Sequence, residues 1–116
     1  MFHSLIKEVW SSAPGLTNLL LAGVDGIVVA QHHQTDEDDF IAAEAANLIK
    51  ESQRFGGELG AGNLRGLTTH FDGSILVIQM VTDEYFLVGT LANAGDLPKI
   101  RYRFTVKSYE WYSAIA

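Results

Sequence analysis

No cysteine occurs among the 116 residues, which removes disulfides, thiolate nucleophiles and zinc–thiolate sites. Charge is scarce as well: Asp, Glu, Lys and Arg make up 19% of the chain, against about 25% in an ordinary soluble domain. The longest apolar stretch, residues 19–30, is broken by Asp25-Gly26 and falls short of the ~18 residues a membrane helix needs. Lys7 and Glu8 near the start do not form a basic segment followed by an apolar one, so no secretory leader is read and a cytoplasmic protein is expected. Basic residues are outnumbered, eight Lys and Arg against fourteen Asp and Glu for a net charge of -6, and this argues against binding duplex nucleic acid. The imbalance is uneven. Residues 97–116 carry Lys99, Arg101, Arg103 and Lys107 against Glu110, a net +3 that leaves -9 for residues 1–96, and such a basic end reads first as a solvated face. Residues 1–116 read as a single domain, and one so poor in charge must expose apolar surface or cover it, a first sign of self-association.

What is present is a regular alternation of elements. Phe2, Leu5, Ile6 and Val9 stand at helical spacing until Pro14-Gly15 stops the run. Two apolar runs, 19–24 and 27–30, flank Asp25-Gly26, a dipeptide expected to turn a hairpin in type I′ geometry. Asp72-Gly73 repeats the device between strands over 64–71 and 74–81, and a further strand spans 85–91. Between the two sets of strands lies a helix over 36–55, opened by Asp36, Glu37, Asp38 and Asp39 where the helix dipole favours carboxylates. At 100° per residue, Ile41, Ala45, Leu48, Ser52 and Phe55 form one stripe, the expected sheet-facing side, and Ala42, Ala46, Ile49 and Gln53 form a second beside it. The combined arc exceeds the ~100° that a helix needs to cover its own core. Either the helix is sandwiched between its sheet and a partner subunit, or it is deeply buried in one chain. The last segment fits both patterns: Ile100, Tyr102, Phe104 and Val106 alternate like a strand, whereas Leu97, Ile100, Phe104, Trp111 and Ile115 fit a helical face. Asp96 and Pro98 stand where a helix start favours them; propensity does not settle the matter, and helix is chosen with the help of the family resemblance described below.

Three groupings invite a chemical reading. His32-His33 and the four following acids are metal-ligand types, yet adjacent histidines on a loop cannot both meet one ion without a further fixed ligand, so a solvated loop is expected and no metal site. Gly56, Gly57, Gly60, Gly62 and Gly66 follow a helix and precede a strand, the reverse of a phosphate-binding loop, and fit a helix cap with a tight passage onward. The scattered His3, His70 and serines form no nucleophile or acid–base set. No catalytic residues and no cofactor are expected; a binding or regulatory module is.

Taken in order, Pro14-Gly15, residues 21–30 around Asp25-Gly26, the alanine-rich 42–46 and the 58–62 run of Glu, Leu, Gly, Ala and Gly resemble the Roadblock/dynein light-chain family, in particular its bacterial MglB-like members. The resemblance spans nearly the whole chain and implies an α+β fold: a five-stranded antiparallel sheet with flanking helices in the order α-β-β-α-β-β-β-α, roadblock/profilin-like. It further implies a homodimer built on the crossover helix and the strand after it, here Ala42, Ala46, Ile49, Gln53, Leu64 and Leu67. The implied function is regulation of a Ras-like small GTPase in polarity, motility or signalling, with Ala43, Asn47, Lys50 and Arg54 facing that partner. The alternative is a scaffold or dynein-light-chain-like adaptor. Arg54 invites comparison with an arginine finger, though on a polar helix face it reads first as a surface residue, and Arg65 as a charge guarding an edge strand.

Overall fold

The computed structural model describes residues 1–115, and the side chains of residues 1–114. Helix α1 (Phe2–Ser12) leads into strands β1 (Leu16–Gly23) and β2 (Val28–Gln31), helix α2 (Asp38–Glu58), strands β3 (Gly66–His70), β4 (Ile75–Met80) and β5 (Tyr85–Leu91), and helix α3 (Leu97–Ile115). The five strands form one antiparallel sheet in the order β2-β1-β5-β4-β3, so β2 and β3 are its edges. This is the order of elements expected from the sequence. The ambiguous last segment is helical because Ile100 and Phe104 fall on one buried line of α3, and Tyr102 between them is exposed.

Alternation along the strands splits the core in two. On one face Leu19, Leu21, Ile75, Val77, Leu87 and Leu91 pack under α1 and α3. Gly89 makes this close approach possible: a Cβ there would stand 2.7 Å from the Phe104 ring and 2.8 Å from Leu16. On the other face Leu20, Ala22, Ile78, Phe86 and Val88 pack against Ala42, Ala45, Ala46 and Ile49 of α2. The hairpin turn touches that helix too, since a Cβ on Gly26 would lie 3.3 Å from the Ala43 Cα.

Local details differ from the expectation. Neither hairpin is type I′, for among the described residues none other than glycine has a positive φ, and of the two turn glycines only Gly26 does. The first turn is instead a four-residue loop tied by the Asp25 carboxylate, which accepts from the Ile27 N–H at 3.1 Å, and by the Gly23 N–H donating to Ile27 O. Helix α2 begins and ends later than expected and takes in Gly56 and Gly57. Its left-handed cap is Gly60 at φ +67, with Ala61 N–H donating to Gly56 O and Gly60 N–H to Gly57 O, the paired bonds that close a helix end.

Candidate interaction surface

The surface around α2 is set by one buried acid. Asp38 is 2% exposed and its carboxylate accepts from Asn18 Nδ2 (3.1 Å), Gln31 Nε2 (2.7 Å), Thr35 N (2.9 Å) and Thr35 Oγ1 (2.6 Å). Burial pushes its pKa up, but these bonds, Thr35's first, outweigh it and hold the carboxyl below the ordinary 3.8. One side chain thus pins the start of α2 to β1 and β2. Of four acids that look interchangeable in the sequence, only this one is buried; three polar partners spaced along the preceding hairpin and loop are the signal that could have singled it out.

With its start fixed, α2 packs chiefly over β1 and β2. The buried arc runs between the two stripes read from the sequence and takes in residues of both, which corrects the expected division of the helix. Ala42, Ala46 and Ile49, expected at a dimer interface, are 0%, 8% and 3% exposed on the chain's own sheet, and retain almost no surface for a second copy. Leu48 and Phe55, expected on the sheet, are 37% and 59% exposed. Small alanines let the helix sink onto the sheet along the second stripe, tilting the larger apolar side chains of the first toward solvent. Gln53 is half-buried and its Oε1 accepts from Leu64 N at 3.0 Å, an internal tie between helix and the approach to β3. Leu64 and Leu67 remain half-buried. Leu67 shares its sheet face with Leu76 and Met80, both also half-buried, and all three pack at the margin of the α2 core.

Ala43, Asn47, Lys50 and Arg54 form an exposed arc on α2. Ala43 lies against the first hairpin turn, and Arg54 is clamped on its own helix by Glu51 at 3.0 Å and Glu58 at 2.9 Å. Those two carboxylates, Glu51 foremost, push the Arg54 pKa up. Arg65 precedes β3, with its carbonyl accepting from Met80 N. His32 is not aimed at a metal: it stacks on Trp10, 3.7 Å between ring centroids and 8° between planes, with His33 edge-on to both. Among the described residues no three His, Asp or Glu side chains form a group able to hold a metal ion, and no helix is long and apolar enough to cross a membrane.

Two helices on one face of a five-stranded sheet and one on the other, with an apolar margin beside that one, define a helix–sheet–helix domain. The Roadblock/LC7 domain family model matches residues 5–90, and the chain belongs to that family. Its members are in general non-enzymatic regulators or adaptors. Among solved structures the chain is similar to a Roadblock/LC7 domain from Streptomyces avermitilis, with 20% identity, 97% of this chain and 96% of that one covered, and a TM-score of 0.87. It is similar to Myxococcus xanthus MglB at 16% identity, 98% and 94% coverage and a TM-score of 0.87. Acanthamoeba castellanii profilin II shares the architecture more distantly, at 12% identity, 95% and 98% coverage and a TM-score of 0.65. These likenesses establish the fold. Among curated proteins none matches the sequence.

Proposed function

We propose that this chain is a single roadblock-type domain that acts in the cytoplasm as a homodimer and regulates a Ras-like small GTPase. The observation that carries the reading is the incomplete cover of the α2 face: Leu67, Leu76 and Met80 on β3 and β4 are only half-buried at the margin of its core, and Leu48 and Phe55 of α2 itself are exposed. A second copy laid antiparallel along α2 covers that margin, and pairing of two β3 edges removes the unpaired strand edge. The self-contacts then fall on Leu48, Ser52, Phe55, Leu64 and Leu67, and not on Ala42, Ala46 and Ile49. Paired helices would present Asn47, Lys50 and Arg54 of both copies as one polar ridge to the GTPase. Because Arg54 is held by two carboxylates of its own helix, the reading favours arrangement of the GTPase's switch loops over insertion of an arginine.

Two measurements test it. Sedimentation should give a dimer that Leu48→Asp converts to a folded monomer. A Ras-like GTPase from the same genome should bind the dimer more tightly in its GTP-loaded than its GDP-loaded form, with altered hydrolysis. Equal affinity for both forms and unchanged hydrolysis would leave the adaptor role, which needs no nucleotide dependence. A monomer at all concentrations overturns the dimer.

A further inference from the structure

A second surface lies on the opposite face of the sheet. Helix α3 packs over β4, and the outermost strand β3 lies beyond it, leaving an open groove of about 910 Å³ between strand and helix. Register places Gly66 opposite Gln79 and Thr68 opposite Val77, and Val77 belongs to the α1/α3 core; these four therefore form the groove's floor. Arg101, Thr105, Tyr109 and Tyr112 recur at helical spacing as one wall, and Arg65 lines the groove as well.

Three features say what the groove is suited to hold. Ser108 lines it, is 4% exposed, and its hydroxyl has no hydrogen-bond partner among the described residues. A buried donor left unpaired is costly; the hydroxyl itself is covered, so rotation of the Ser108 side chain toward the groove is what would let a ligand carbonyl or carboxylate satisfy it. Arg65 and Arg101 form no ion pair among the described residues, and Asp83 is the one carboxylate in the described lining. Tyr109 is 86% and Tyr112 54% exposed, and tyrosine and arginine are the side chains that most often dominate protein interfaces. From Arg101 to Tyr112 the wall runs about 16 Å at 1.5 Å per residue, the length of about five residues of extended chain.

We propose that this groove binds an extended acidic segment of a protein partner. Carboxylates pair with Arg65 and Arg101, where a planar guanidinium can take a carboxylate in two parallel bonds. A backbone or side-chain oxygen accepts from Ser108, and apolar side chains lie on the tyrosines. The basic patch sits on a chain of net charge -6, so a polyanion with one charge per nucleotide is repelled by the rest of the body, whereas a short acidic segment meets only the groove. The site is independent of the proposed dimer: strand pairing runs in the plane of the sheet, so joining two β3 edges lengthens the groove floor and does not fill it.

The test uses the full chain and a fluorescein-labelled peptide of about twelve residues alternating aspartate and leucine, with a lysine–leucine peptide as control, read by anisotropy and by amide shifts. Saturable binding of the acidic peptide alone is expected, with shifts at Thr68, Thr105 and Ser108, and Arg65→Glu with Arg101→Glu should weaken it at least about 30-fold. Both arginines are exposed, so the fold should persist; if the double variant is unfolded, Arg101→Gln takes its place, with a smaller loss. No saturation up to ~1 mM, equal binding by variant and parent, shifts confined to α2, or displacement by a single-stranded oligonucleotide at equal concentration would each overturn the proposal. Sedimentation of Arg101→Glu alone, a change on α3 and not on the β3 edge, should still give the parent's oligomeric state, so failure here is separable from failure of the dimer.

Discussion

The two faces of the sheet are built to different standards. Under α1 and α3 the core is made of large side chains, with Phe104 fully buried over Gly89 and leucines from β1 and β5 beneath. Under α2 the helix contributes three alanines and one isoleucine, sits close to β1 and β2, and leaves Leu67, Leu76 and Met80 half-buried. The first face is filled by large side chains except along the groove beside β3; the second is deep but narrow. A chain with few charges thus leaves part of its surplus apolar surface along the α2 side of the sheet, where a partner can use it.

The largest test of this contrast is Phe104→Ala. It removes a buried ring from the closed face and should cost about 4 kcal/mol, within the range for large-to-small core changes, read as a lower urea midpoint with an unchanged slope. A cost near zero would mean that this face is not the stability core. Next come two neighbours on α2. Ile49→Asp buries a carboxylate with no partner and should cost about 3 kcal/mol, whereas Leu48→Asp should leave the urea midpoint of the monomer almost unchanged and abolish self-association. If both variants unfold the chain, or both merely dissociate it, the division of the helix into a core side and a contact side fails.

That pair also shows how much of the fold was legible. The order of elements and the long crossover helix follow from spacing and breakers, because a turn or a periodic face is a local property of sequence; in the last segment spacing fits strand and helix alike, and the family resemblance tips the choice to helix. Which of two adjacent stripes on α2 meets the sheet is not local. Ile41, Leu48 and Phe55 are the large apolar side chains of the first stripe, yet it is Ala42, Ala46 and Ile49 of the second that lie inside, with Ala45 the one fully buried member of the first, because the helix axis is set by the Asp38 anchor and by close approach to the sheet and the Gly26 turn. The groove beside α3 escaped the sequence for the same reason: Arg101, Thr105 and Tyr112 look like a solvated face until the register of β3 places a floor opposite them. Ser108, polar and buried without a partner among the described residues, carries no sequence signal at all.

A smaller effect sharpens the α2 face from its anchor. Asp38→Ala leaves Asn18, Gln31 and Thr35 without their shared acceptor and should cost about 2 kcal/mol. Its pH dependence has a definite sign. Because the folded state holds the carboxyl below 3.8, it binds fewer protons there than the unfolded chain, so Asp38 contributes stability above that pH and loses it as the pH falls through the lowered folded value. The gap in urea midpoint between the parent and Asp38→Asn should therefore be full near pH 6 and narrow as the pH drops below 3.8. A gap that is constant or widens in acid would show that the carboxylate is not the anchor.

Smallest for stability, and most informative for function, is Arg54→Ala. The arginine is exposed and paired only within its own helix, and such pairs contribute little, so the urea midpoint and the oligomeric state should not move. On the proposed GTPase the change should be a few-fold in affinity, as for a charge at an interface rim. An inserted arginine would behave differently, since it is worth about 10³ to 10⁵ in hydrolysis rate. If Arg54→Ala left binding intact but abolished stimulation on that scale, the side chain must leave Glu51 and Glu58 to enter the GTPase site, and the α2 ridge would be a source of catalytic charge instead of a surface that selects one arrangement of the switch loops.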